Sequence, residues 1–434
     1  MAKNTDITLR NKIIYSVYVR NHGKNGLFKD VEEDLERIKS LGTDIIWFMP
    51  IHPIGVKNKK GSLGCPYAIK DYRAVNPEYG TLEDFKRLID KIHSLGMKCM
   101  IDVVYNHTSP DSYLVENHPE FFYRKNDGKM GNKVGDWTDI VDLDYNNKEL
   151  WNYQIETLKY WASLGVDGFR CDVAPLIPLE FWLKAREEVA KVKKDVIWLA
   201  ESVHLSFILA MREHGFVGLS DSEVYQAFDI CYDYDVNDAY VGYFKGENTL
   251  KEYINRVKLQ EAIYPDNYVK LRFLENHDQP RAKKLIPDET KLKIWTAFLY
   301  FQKGATLIYA GQEAQDDNTP SLFDIDKVNW SGMKEEFVEY MKTLSNIKKK
   351  DIMARGFYKI DCEDKRDVIV ASYKMEGEKL LGIFNVGLHE GYVNVDLEDG
   401  EYINLIDRQK VEVQNGQIKL QNKAIIIECH PGEM

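Results

Sequence analysis

Apolar residues along this chain fall into two alternating rhythms. Short β-branched and aromatic runs are separated by longer stretches in which apolar positions recur every three or four residues. The runs predict strands at Lys12–Arg20, Asp44–Met49, Lys98–Tyr105, Gly168–Val173, Val196–Ser202, Val224–Ile230, Val269–Glu275 and Thr306–Ala310. The stretches between them predict helices, among them Val31–Leu41, Leu82–Leu95, Glu149–Leu164, Leu179–Val192 and Thr290–Phe301. Strands interleaved with helices pair in parallel, and eight such units predict a closed (β/α)8 barrel of the TIM type, an α/β fold. Continuous apolar strands such as CMIDVVY fit a sheet covered on both faces.

Two segments break the rhythm. Between the third strand and the next helix lies a long polar and aromatic stretch, with the run HPEFFYRKNDGKMGNKVGDWTDIVDLDYNN. A connection of that length is a functional loop or a small domain, and we read 108–147 as a small inserted domain over the barrel mouth. After residue 351 the helices stop. DVIVASYKM, KLLGIFNVG, YVNVDLED and KAIIIEC follow one another with Gly, Asn and Asp turns between them, which predicts a C-terminal antiparallel β-sandwich over 351–434. The barrel then takes 1–107 and 148–350.

Composition narrows the partners. The 434 residues carry a net charge of -11, so a nucleic-acid partner, which needs a basic footprint, is not expected. Aromatic residues make up 12% of the chain, which suits large cores and also sugar rings stacked on aromatic faces. No run reaches the roughly 18 apolar residues of a membrane span, and the opening residues show no apolar signal segment, so no membrane partner is expected. The six cysteines, at 65, 99, 171, 231, 362 and 429, form no CxxC pair. Free thiols in a reducing compartment are expected, hence a cytoplasmic protein, or a secreted one if a leader has been trimmed.

Active sites of such barrels sit at the C-terminal ends of the strands. Those ends are rich in carboxylates. The third strand ends DVVYNH (Asp102, Asn106, His107), the fourth GFRCD (Arg170, Asp172), the fifth LAE (Glu201), and the seventh FLENHD (Glu275, His277, Asp278). A lone Asp at a strand end is often a helix N-cap. The joint pattern suits glycoside cleavage with retention, which needs a nucleophilic carboxylate about 5 Å from a carboxylic acid. Neighbouring strands lie roughly 4.8 Å apart, so Asp172 and Glu201, on successive strands, are the natural pair. Arg170, two residues before Asp172, would favour its ionised form, and the second carboxylate would keep Glu201 protonated. Asp278 would be a third, fixed carboxylate. His107 and His277 are suited to hydrogen-bonding sugar hydroxyls.

In order and spacing, DVVYNH, GFRCDVA, the Glu of LAESVH and FLENHD resemble the four motifs of the α-amylase family, glycoside hydrolase family 13. The resemblance runs the length of the chain. It implies an enzyme acting on α-1,4-linked glucans or maltooligosaccharides, with Asp172 as nucleophile, Glu201 as general acid/base and Asp278 as transition-state stabiliser. It also places Tyr67, from CPYAIKDYRAVNPEYGT, together with His107, Arg170 and His277 around the sugar at the cleaved bond. No cofactor is required by that chemistry. In calcium-dependent members the equivalents of Asn106 and Asp142 are metal ligands, which makes them the tentative calcium pair here. One departure stands out. Starch-cutting members often carry Lys-His after the second motif, contacting the leaving-group sugars, where this chain has Ala174, Pro175 and Leu176. That leaves room for a maltooligosaccharide specialist. Trp330, Trp137 and Phe122 are further candidate sugar platforms.

Three alternatives remain at this point. The covalent intermediate would equally serve a transglycosylase or a phosphorylase. A catalytically dead sugar-binding barrel would be expected to lack one of the three carboxylates. A sugar-phosphate enzyme would need a Gly-rich phosphate loop late in the barrel, and GATLIYAGQE is a poor one.

Overall fold

In a computed structural model, which describes residues 4–363 and 365–430, the eight expected strands close into a parallel barrel. They are β1 (Ile13–Val17), β2 (Ile45–Phe48), β3 (Lys98–Val103), β6 (Gly168–Cys171), β7 (Ile197–Ala200), β8 (Ile230–Tyr232), β9 (Val269–Arg272) and β10 (Ala305–Tyr309). Two short strands, β4 (His107–Thr108) and β5 (Val141–Asp142), pair antiparallel within the segment that follows β3. Every residue of β1, β2, β6 and β7 is buried, as expected of strands covered on both faces. The helix Leu82–Ser94 shows how the covering layer is specified. Thr81 and Asp84 form a reciprocal capping box at its start, and Phe85, Leu88, Ile89 and Ile92 make one buried stripe.

The sixth strand is not where the apolar run put it. Val224–Ile230 was expected to be extended, but Ser220 and Glu223 form a capping box that winds Asp221–Val224 into a helical turn. The strand is Ile230–Tyr232, which shares only Ile230 with the expected run. A local cap outcompetes the β-propensity of VYQAF, because two satisfied backbone donors outweigh a preference that only sheet packing would reward.

By compactness the described residues divide into two units, one of residues 4–5, 14–235 and 320–328, the other of 6–13, 236–319 and 329–430. The second unit contains two antiparallel four-stranded sheets. One has the order β11–β12–β13–β18, from Phe357–Glu363, Val368–Met375, Glu378–Asn385 and Ile425–Cys429. The other has the order β14–β17–β16–β15, from Tyr392–Asn394, Gln417–Lys419, Lys410–Gln414 and Gly400–Ile403. Their facing sides share one core, in which Val368, Leu381 and Ile427 meet Val393, Val413 and Ile418. The β16–β17 turn is an Asn415-Gly416 pair with φ of 52° and 66°, the left-handed pair that a two-residue hairpin needs. All six cysteines are free thiols. No helix among the described residues is long and apolar enough to cross a membrane.

Candidate active site

The first unit is organised around one buried guanidinium. In the parallel register Asp102 of β3 is the partner of Arg170 on β6, so both side chains point to the same side of the sheet. Arg170 and Asp102 are wholly buried, at 0% exposure. Nη1 of Arg170 donates to Asp102 Oδ1 at 3.0 Å and to Asp172 Oδ1 at 2.9 Å. Nη2 lies 3.1 Å from Glu201 Oε2, and Nε donates to the Tyr232 hydroxyl at 3.1 Å. The rings of Trp47 and Tyr232 flank the cation at 5.0 and 5.2 Å. A charge this deep persists only when paired and hydrogen-bonded. Three carboxylates on three adjacent strands supply that pairing.

The ladder continues past the strand ends and fixes the two outer carboxylates. Asp172 N–H donates to the Val103 carbonyl at 2.9 Å, and Glu201 N–H to that of Cys171 at 3.0 Å. Between them the chain turns sharply at Val173, whose φ of 37° and ψ of 43° are left-handed. For a β-branched residue that conformation is strained, typically by about 1–3 kcal/mol. It aims the Val173 N–H at Glu201 Oε2, 2.9 Å away. Burial raises the Asp172 carboxyl to about 6, although the Arg170 cation and a hydrogen bond from the Glu201 side chain pull it back down. The sequence-based expectation that Arg170 would dominate is therefore half right: its pull is present, but desolvation exceeds it.

Tyr67 and His107 join the same unit. The Tyr67 hydroxyl donates to Asp102 Oδ2 at 2.9 Å, beside the Trp47 indole N–H at 3.2 Å. His107 is buried, and that burial lowers its basicity and favours the neutral imidazole. Its Nδ1 lies 3.1 Å from Asn106 Nδ2. Asp142 pairs with His107 across β4 and β5, but its carboxylate is already engaged. Oδ2 accepts the Lys133 backbone N–H at 2.7 Å, and Oδ1 faces Asn132 Nδ2 at 3.4 Å.

Asn106 and Asp142, the tentative calcium pair, supply only two side-chain ligands toward that ion. Calcium takes six to eight oxygen ligands. Here two side chains are on hand, one with its amide nitrogen turned to an imidazole and the other holding N–H donors. Among the described residues no group of three or more His, Cys, Asp or Glu is disposed to hold a metal. Chelation with EDTA is expected to leave the melting temperature unchanged, as followed by circular dichroism. A clear drop that added calcium reverses would contradict this.

The second unit holds the remaining two predicted residues, beyond the end of β9. His277 is buried, and its Nε2 lies 3.1 Å from Asp278 Oδ2. The Asp278 backbone N–H donates to Asn276 Oδ1 at 2.9 Å. The base of this turn is clamped by Glu275, which accepts from Arg281 at 2.6 Å and from the Ala282 N–H at 2.6 Å. Asp102, Trp47 and Tyr232 were not among the predicted site residues, yet they complete the shell around Arg170. Phe122 is buried and serves packing rather than sugar contact.

A parallel barrel with buried carboxylates converging on one arginine at its strand ends has the arrangement that a glycosidase of the carboxylate type requires. The profile of the alpha amylase catalytic domain matches residues 11–137 and 134–365, and that of the bacterial alpha amylase C-terminal domain matches 359–427. The chain belongs to the α-amylase family. It is similar over 98% of its length to an alpha-amylase from Lactobacillus plantarum, at 46% identity and a TM-score of 0.94, covering 100% of that chain. It is also similar over 98% of its length to a noncanonic maltogenic alpha-amylase from Thermotoga neapolitana, at 35% identity and a TM-score of 0.87, covering 99% of that chain. An alpha-1,4-glucan:maltose-1-phosphate maltosyltransferase from Picrophilus torridus is 30% identical over 254 residues, 51% of this chain. That match spans only 39% of the maltosyltransferase.

Proposed function

We propose that the chain hydrolyses α-1,4-glucosidic bonds of maltooligosaccharides or starch-type chains with retention, through a covalent intermediate on Asp172. The observation that carries this reading is that Asp172 and Glu201 share the Arg170 guanidinium, one on each terminal nitrogen. Two carboxyls held by one guanidinium suit the close pairing of a retaining enzyme, about 5 Å, better than the roughly 6.5–9.5 Å of an inverting one. In the first step the Asp172 carboxylate attacks the anomeric carbon. The bond to the leaving oxygen breaks, and that oxygen takes the Glu201 proton. In the second step Glu201, now a carboxylate, deprotonates a water, which displaces Asp172 from the sugar.

Asp278 is the third carboxylate in this reading, facing the positive charge that develops on the sugar; its support is a position after a strand of the same parallel barrel. Tyr67, His107, Arg170 and His277 would surround the ring at the cleaved bond. Cysteines present as thiols rather than as disulfides favour a reducing, cytoplasmic setting. A sugar in place of the water would make the same intermediate serve transfer, the reading that the maltosyltransferase relative favours. Chromatography of products from maltoheptaose, with and without phosphate, separates the routes. Shorter linear maltooligosaccharides are expected in both cases, whereas longer products would indicate transfer and glucose 1-phosphate phosphorolysis.

The pH profile follows from Asp172. The nucleophile acts ionised, and its folded-state carboxyl is raised to about 6. On maltotriose kcat/KM is expected to fall about tenfold per pH unit below that value. A profile flat well into the acid range would contradict this assignment.

A further inference from the structure

Glu201 plays two opposite parts in a retaining reaction, acid in the first step and base in the second. Its two oxygens are not equivalent. Oε2 accepts the Val173 N–H at 2.9 Å and lies 3.1 Å from Arg170 Nη2. Neither partner can accept a hydrogen bond, so a proton on Oε2 would face only donors. Oε2 is therefore the oxygen that carries the charge, and the proton passed to the leaving group sits on Oε1.

The N–H that reaches Oε2 is aimed by a braced turn. Val173 is held at φ 37° and ψ 43°, which a β-branched residue keeps only where its surroundings over-determine it. The carbonyls that follow are all engaged. That of Val173 accepts the Leu176 N–H at 2.9 Å, and that of Ala174 accepts the Ile177 N–H at 3.2 Å and the buried Trp182 indole at 3.0 Å. The Pro175 carbonyl accepts the Leu219 N–H at 2.9 Å. The brace is built from Ala174, Pro175 and Leu176, the segment in which this sequence departs from the Lys-His pattern.

We infer that the Val173 N–H is a positioning group for the second step: it holds Glu201 ionised once Asp172 is bonded to the sugar, so that Glu201 can take the proton of the incoming water. This rests on the retaining reading above. While Asp172 is a carboxylate, its charge keeps a proton on Glu201. Bonding to the sugar neutralises Asp172, and the leaving oxygen removes the proton from Oε1. The amide and the Arg170 cation then face a full negative charge on Glu201. An N–H bond to a charged oxygen is about twice as strong as one to a neutral oxygen, so it favours the second step over the first. Arg170, Asp172, Tyr232 and His107 face Glu201. Burial favours the neutral forms of the Tyr232 phenol and the His107 imidazole, so neither supplies a charge to it.

The test separates the two steps. Replacing Val173 by its α-hydroxy acid turns the N–H into an ester oxygen and keeps the side chain. With a fluorinated α-glucosyl fluoride, fluoride release reports the first step, and loss of the glycosyl adduct by mass spectrometry reports the second. The ester is expected to slow the second step by about 10–100-fold relative to the first, the scale of a hydrogen bond to a charged group, and adduct should accumulate. Val173→Gly keeps the N–H and relaxes the turn, so the ratio of the two rates is expected to stay within about threefold. An unchanged ratio in the ester, or a ratio that falls as far in Val173→Gly, would overturn the inference and leave the retaining reading standing. The unaltered chain gives a second check: adduct release is expected to hold its rate to lower pH than the first step, whose limb lies at about 6. Release that fails at the same or a higher pH would overturn the inference too. An unaltered chain that forms no adduct while consuming the fluoride would instead overturn the retaining reading itself.

Discussion

Asp172→Asn is expected to lower kcat on maltooligosaccharides by ~10⁴-fold or more, the scale on which a covalent nucleophile is lost. Asparagine has the same shape and keeps an oxygen toward Arg170 Nη1, where the carboxylate accepts at 2.9 Å. What disappears is the negative oxygen that attacks the anomeric carbon. The variant should not lose its fold, and linkage gives the sign. The folded-state carboxyl is raised to about 6 from an ordinary 3.8. Between those values the folded protein holds a proton that the unfolded chain releases, so this group's contribution to stability falls as pH rises through the window. Asparagine removes that penalty. At neutral pH the melting temperature of Asp172→Asn is therefore expected to equal or exceed that of the parent. Turnover within about tenfold of the parent would contradict the assignment of the nucleophile.

Glu201→Gln is expected to cost ~10²–10⁴-fold on maltooligosaccharides, the usual worth of a positioned general acid. Its signature is the dependence on leaving group. An α-glucosyl fluoride releases fluoride, which needs no proton, so the first step on that substrate should slow by less than about tenfold. The glutamine oxygen can still accept the Val173 N–H, so the backbone turn that seats the acid is retained. Equal losses on both substrates would show that Glu201 holds the architecture rather than moving the proton. Steady-state kinetics on maltotriose and on the fluoride distinguish the two outcomes.

The barrel is legible in the sequence because its strands are buried on both faces and its helices carry a single apolar stripe. Those are the two patterns that burial imposes directly. The paired carboxylates are legible for the same reason: Asp172 and Glu201 interrupt apolar runs at the point where a strand gives out. The roles of three members of the Arg170 shell are not. Asp102 sits within CMIDVVY, and only the β3–β6 register shows that it faces Arg170. Trp47 reads as one more apolar strand residue until its indole N–H is found on Asp102. Tyr232 was hidden by the misplaced sixth strand, since a strand ending at Ile230 puts it in the following loop. The balance of forces on Asp172 also lies beyond sequence. Arg170 beside it is visible in GFRCD, but the depth of burial that outweighs the cation is set by residues from several strands. The tentative calcium pair is likewise beyond sequence: Asn106 and Asp142 are the right residue types, but the number of oxygen ligands around them is set by the fold.

The central claim is a covalent bond between the sugar and Asp172, and it can be observed directly. A fluorinated α-glucosyl fluoride that forms the intermediate quickly and releases it slowly should label the protein once. Mass spectrometry of the intact chain and of its peptides reports where. The account predicts a single glycosyl adduct on the peptide containing Asp172, absent from Asp172→Asn. An adduct on another residue, or none while the compound is still turned over, would contradict it.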